Sequence, residues 1–119
     1  MVPMSALPSL MLKVKDLCFK YGVRSVCYGH AGDGNIHVNL LKEQHPDPYW
    51  NQTLPIMIEE LFEEVHRLGG TVSGEHGIGW SQKRYMALVM DPVQIQLMKG
   101  IKAVFDPLGL LNPGKIWEA

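Results

Sequence analysis

Apolar residues Leu10, Val14, Leu17, Cys18 and Tyr21 recur at helical spacing, and Gly22 stands where a left-handed residue closes a helix. The spacing predicts an amphipathic helix over residues 10–21. Residues 23–29 and 35–41 then alternate as β-rich runs around Asp33-Gly34, a pair suited to a two-residue hairpin loop whose central positions need positive φ. Residues 42–48 are polar, and Asp47-Pro48 reads as an N-cap followed by a first-turn proline. A long stripe of Trp50, Leu54, Met57, Ile58, Leu61, Phe62, Val65 and Leu68 predicts a second helix, with Glu59, Glu60, Glu63, Glu64 and Arg67 mostly on its solvated side. Pro55 should kink or restart that helix, because it brings no N–H to the preceding turn. Gly69-Gly70 ends it, and Thr71-Val72-Ser73 predicts a short strand. A helical segment over about 81–90 follows, then Asp91-Pro92 starts a helix reaching about Val104, and Asp106-Pro107 and Asn112-Pro113-Gly114 mark turns in a tail. Residues 1–8 lack periodicity and read as a ragged end.

Helix, strand, strand, helix, strand, two helices and a tail make an α+β arrangement, an antiparallel sheet covered by helices. It would make a ferredoxin-like split βαβ unit if one more strand lay before Leu10. The 119 residues, 46% hydrophobic and 19% charged, fit a single domain over 1–119. A formal net charge of −1 and no basic run longer than Lys83-Arg84 argue against nucleic acid as a partner. No apolar run approaches the roughly 18 residues of a membrane span. Cys18 and Cys27 lack metal-type spacing and read as free thiols of a reducing compartment, which makes the cytoplasm the expected location and leaves peripheral membrane contact open.

The chemistry gathers in two places. In Gly29-His30-Ala31-Gly32-Asp33-Gly34-Asn35-Ile36-His37-Val38-Asn39 a two-residue loop sets His30 opposite His37 and Tyr28 opposite Asn39, with Cys27, Ala31, Ile36, Val38 and Leu40 on the other, apolar face. Cross-strand Cβ atoms lie about 4.5 to 5.5 Å apart, close enough for two imidazoles to share a metal ion. The plain alternative is that each histidine satisfies a local hydrogen bond. In Ser73-Gly74-Glu75-His76-Gly77-Ile78-Gly79 a carboxylate and an imidazole stand among glycines that let the backbone approach a ligand. His30, His37 and Glu75 form a two-histidine, one-carboxylate set suited to Zn²⁺, Mn²⁺ or Fe²⁺, with His76 left to titrate near neutral pH. Taken alone, Glu75-His76 also reads as an exposed turn. Gly29-x-x-Gly32-x-Gly34 lies within a hairpin rather than between strand and helix, so it is no dinucleotide fingerprint.

Those two motifs, with Phe105-Asp106-Pro107 and Leu111-Asn112-Pro113-Gly114-Lys115-Ile116 after them, resemble the C-terminal cap domain of FAD-linked 2-hydroxy acid dehydrogenases and oxidases of the vanillyl-alcohol oxidase type. That group includes the glycolate oxidase flavoprotein subunit, D-lactate dehydrogenase and D-2-hydroxyglutarate dehydrogenase. The resemblance implies that His30, His37 and Glu75 hold a divalent metal, zinc or manganese, and that the metal binds the oxygens of a small 2-hydroxy acid. It implies that Asn39 places the substrate, that His76 takes the hydroxyl proton, and that Asn112 meets the flavin. Where relatives have a lysine shortly after Gly77-Ile78-Gly79, this chain has Gln82 followed by Lys83. The resemblance also implies a flavin-binding domain or subunit as partner, bearing FAD, and an iron–sulfur or quinone electron acceptor. The chain then reads as the C-terminal fragment of an oxidoreductase, inactive by itself and prone to self-association through an uncovered apolar surface. A non-catalytic metal-binding or assembly module and a small metallohydrolase remain the competing readings.

Overall fold

The computed structural model describes residues 1–117; the last two residues of the expected domain, Glu118 and Ala119, lie outside them. The chain folds as helix α1 (Leu7–Tyr21), strands β1 (Arg24–His30) and β2 (Asn35–Leu41), helix α2 (Asp47–Arg67), a short α3 (Met86–Val89) and α4 (Pro92–Phe105). Helix α1 ends as expected at Gly22, whose N–H bonds the Phe19 carbonyl while the N–H of Val23 reaches Cys18. The expected ragged end is instead part of the core. Val2 is 3% exposed and packs with Leu10, Val65, Val72 and Val89. Its N–H donates to the Gly34 carbonyl at 2.9 Å, and Thr71 N–H donates to the Met1 carbonyl at 2.9 Å. One buried valine with a backbone partner on either side orders a segment that has no periodicity of its own.

The hairpin register differs from the expected one. Residues Ala31–Asp33 form a single 3₁₀ turn and, of the pair read as the loop, only Gly34 takes a positive φ, of 70°. The connection is therefore longer than two residues, and the pairs are His30 with Asn35, Tyr28 with His37 and Val26 with Asn39. His30 is not opposite His37. The Val2 contact explains the geometry of Gly34: a Cβ there would fall 1.8 Å from the Val2 carbonyl oxygen, so only glycine closes the loop against the N-terminal segment. Because the slip is two residues, each side chain keeps its expected face, which a slip of one would have reversed.

Helix α2 runs unbroken through Pro55, so the helix does not restart there, and Asn51, whose carbonyl the proline leaves without a donor, is exposed. It ends with Gly69 N–H on His66 and Gly70 N–H on Val65. A second buried cluster of Leu17, Val23 and Met57 joins α1, α2 and the apolar face of the hairpin through Leu40. At the rim, Glu60 accepts from Lys20 and Tyr21, and these hydrogen bonds, Lys20's foremost, hold its carboxyl below the usual range. The strand expected at residues 71–73 is not formed, so among the described residues the sheet is β1 and β2 alone. Thr71 finds only the backbone of Met1 beside it, one residue rather than a ladder. The expected helix over 81–90 is a 3₁₀ turn, Lys83–Tyr85, leading into α3, with Tyr85, Met86 and Val89 buried.

Helix α4 starts on a capping box: Asp91 Oδ1 accepts from Val93 N–H at 2.7 Å and Gln94 Oε1 from Asp91 N–H at 3.2 Å. No residue of α4 is buried; Val93, Leu97, Ile101 and Val104 are 62%, 64%, 63% and 76% exposed on one side. Among the described residues no helix is long and apolar enough to cross a membrane.

Candidate active site

The site forms where the loop after α2 comes down on the polar face of the hairpin. Buried Val72 anchors the start of that loop, and Gly74 then presses on Asn35: a Cβ at Gly74 would lie 2.5 Å from Asn35 Oδ1. The close approach brings Glu75 Oε1 to 3.0 Å from His37 Nε2 and 3.4 Å from His76 Nε2. The rings of His37 and His76 meet edge to face at 5.0 Å, and the Tyr28 ring lies 5.3 Å from His37. His37 is partly buried by these neighbours, whereas the side chains of Glu75 and His76 are 47% and 70% exposed. One ligand atom from each of His37, Glu75 and His76 lies within 4.8 Å of the others. Two imidazole nitrogens and a carboxylate oxygen are donor types suited to a divalent ion such as Zn²⁺ or Mn²⁺.

Of the residues singled out in the sequence, His37, Glu75 and His76 are thus brought together. His30 shares their face of the hairpin, exposed, opposite Asn35 and diagonal to His37, but outside that group of three. Asn39 is exposed two residues beyond His37 on the same face. Asn112 is exposed in the tail with φ 48°. Cys18 and Cys27 are free, with Cys18 Sγ donating to Ser25 Oγ at 3.2 Å. Lys83 Nζ lies 3.6 Å from the centre of the Trp80 ring.

Sequence reading treated Asp106-Pro107 as a turn and missed what the carboxylate does. Asp106 is buried, and it accepts from Lys102 Nζ, from Leu110 N–H at 2.8 Å and from Leu111 N–H at 3.0 Å. The Lys102 ammonium, helped by the Leu111 and Leu110 amides, holds its carboxyl below the usual range. The signal was present, since an aspartate at a helix exit commonly bonds the backbone of the turn after it.

Over residues 1–116 the chain matches the family described as FAD linked oxidases, C-terminal domain. It is 35% identical over 115 residues to a D-lactate dehydrogenase of Anaerostipes hadrus, covering 97% of this chain and 24% of that protein. It is 41% identical over 96 residues to a D-2-hydroxyglutarate dehydrogenase of Stutzerimonas stutzeri, covering 79% and 20%. With glycolate oxidase subunit GlcD of Bacillus subtilis it shares 35% over 117 residues, covering 98% and 24%. The chain spans about a quarter of the length of the curated relatives it matches.

Proposed function

Because the chain belongs to the family of FAD-linked oxidase C-terminal domains, we propose that it supplies the metal and substrate face of an FAD-dependent D-2-hydroxy acid dehydrogenase or oxidase of the glycolate or D-lactate kind. The convergence of His37, Glu75 and His76 supports this reading most. In it, His37 and Glu75 are metal ligands, and His30 is the third. Diagonal neighbours on a hairpin stand about 7 to 8 Å apart, so a rotation of the exposed His30 ring brings it toward an ion held by the other two. A divalent ion there would polarise the hydroxyl and carboxylate oxygens of the substrate, and FAD, borne by a flavin-binding domain or subunit, would accept the hydride.

The chain's own residues do the rest. His76, beside Glu75 and the more exposed of the two histidines, takes the hydroxyl proton as neutral imidazole, and Glu75 orients it. Asn39, further along the same face, offers its amide to the substrate. Asn112 offers its amide to the edge of the flavin. The apolar side of α4 is a surface for docking the flavin-binding partner. Electrons leave the partner for an iron–sulfur or quinone acceptor.

Titration calorimetry with zinc chloride on the purified chain tests the site. His30→Ala, His37→Ala and Glu75→Ala should each weaken binding beyond the roughly 10 to 100-fold that outer-shell partners cost, and His76→Ala should leave it within severalfold. Equal loss in His76→Ala with none in His30→Ala would exchange ligand and base. No zinc binding by the parent chain would remove the metal from the reading.

A further inference from the structure

We propose that residues 112–117 are a clasp that positions Glu75 and His76 by gripping the far end of their loop, at Gly79 and Trp80. The proposal rests on the function proposed above. Glu75 and His76 lie on a stretch outside any helix or strand, between the end of α2 and the 3₁₀ turn at Lys83–Tyr85. Upstream, that stretch is tied down by the Thr71 N–H on Met1 and by buried Val72. Downstream, Ile78 packs on the core, and the carbonyl of Gly79, three residues past His76, accepts the N–H of Ile116 at 2.7 Å.

The adjacent Trp80 is held from the same side. Gly114 lies against its ring, so that a Cβ there would come 3.2 Å from Cζ3, and Lys115 places its Nζ 5.1 Å from the ring centre. Ile116 itself has φ 71°, a left-handed conformation that a β-branched residue adopts only where its surroundings over-determine it. The two ends of the loop are thus fixed by different parts of the chain, the downstream end by Ile78 on the core and by the tail at Gly79. Ile116 and Trp80 are positioning residues: they reach the site only through the backbone of residues 77–79.

Backbone hydrogen exchange and zinc calorimetry on the full chain test the clasp together. Ile116→Pro removes the donor and, with its φ locked at about −65°, also the left-handed turn that presents it, so it should speed exchange at Gln82, whose N–H donates to the Ile78 carbonyl, and weaken zinc binding, each by at least the roughly tenfold that one hydrogen bond near the upper end of its range is worth. Trp80→Ala should do the same. Ile116→Gly keeps the N–H and suits the backbone, so it should preserve both readouts, as should Trp80→Phe. The thermal midpoint should hold in all four, since neither residue belongs to a buried cluster. Unchanged exchange in both Ile116→Pro and Trp80→Ala overturns the clasp whether or not the parent binds zinc. Faster exchange with unchanged zinc affinity also overturns it, because the contact would then hold the tail without positioning the ligands. A parent chain that binds no zinc refutes the metal reading instead, and exchange alone then decides the clasp.

Discussion

Gly74 sets the distance on which the site depends. A methyl group there has to displace either the loop or the Asn35 side chain it would meet at 2.5 Å. Overpacking of this kind costs about 1 to 3 kcal/mol, and here it is relieved most simply by lifting Glu75 off His37. Gly74→Ala should therefore weaken zinc binding by about tenfold with little change in the core, and Asn35→Ala should restore most of the loss in the double mutant. Equal zinc affinity in Gly74→Ala and the parent, measured by calorimetry, would show that Asn35 simply turns aside.

The exit of α4 shows how one carboxylate organises an element. Asp106 collects the Lys102 ammonium and the amides of Leu110 and Leu111, and Lys102 also donates to the Leu111 carbonyl at 2.9 Å. Its folded pKa is lowered, chiefly by Lys102. The sign follows: the stabilisation is fully present above the unfolded value near 3.9 and is lost as pH falls through the lower folded value. An NMR titration from pH 6 to pH 2 should move the Leu110 and Leu111 amide signals with a midpoint below about 3.9. In Asp106→Asn those amides should titrate little. A midpoint at or above the ordinary value would contradict the hydrogen-bonded carboxylate.

At the scale of the molecule, the two buried clusters both lie between α1, α2 and the segments around them, and α4 adds nothing to either. Its outward side carries Val93, Leu97, Gly100, Ile101 and Val104 without a charged residue among them, and Leu108, Leu110 and Leu111 of the tail are exposed as well. Soluble monomers rarely expose contiguous apolar patches beyond a few hundred Å². The isolated chain should therefore self-associate as its concentration rises, and sedimentation should show Leu97→Glu or Ile101→Glu reversing this without loss of helix content. A monomer at every concentration would mean that the tail shields the face in solution.

What the sequence by itself determined is whatever depends on local period and local chemistry. The helical stripes, the Gly22 and Gly69 stops, the Asp91-Pro92 cap and the polar and apolar faces of the hairpin follow from neighbours within a few residues. The motifs around His37 and Glu75-His76 were legible for the same reason, and so was the family they resemble. The tertiary structure decided what depends on contacts between distant residues. Val2 closes the loop at Gly34, so the hairpin pairs Tyr28 rather than His30 with His37. Thr71 pairs with Met1 and not with a strand, and Pro55 stays within a continuous α2 whose packing on α1 outweighs one lost hydrogen bond. Which side chain stands opposite His37 was settled by a register shift of two residues, a quantity that strand alternation leaves free because both registers bury the same face.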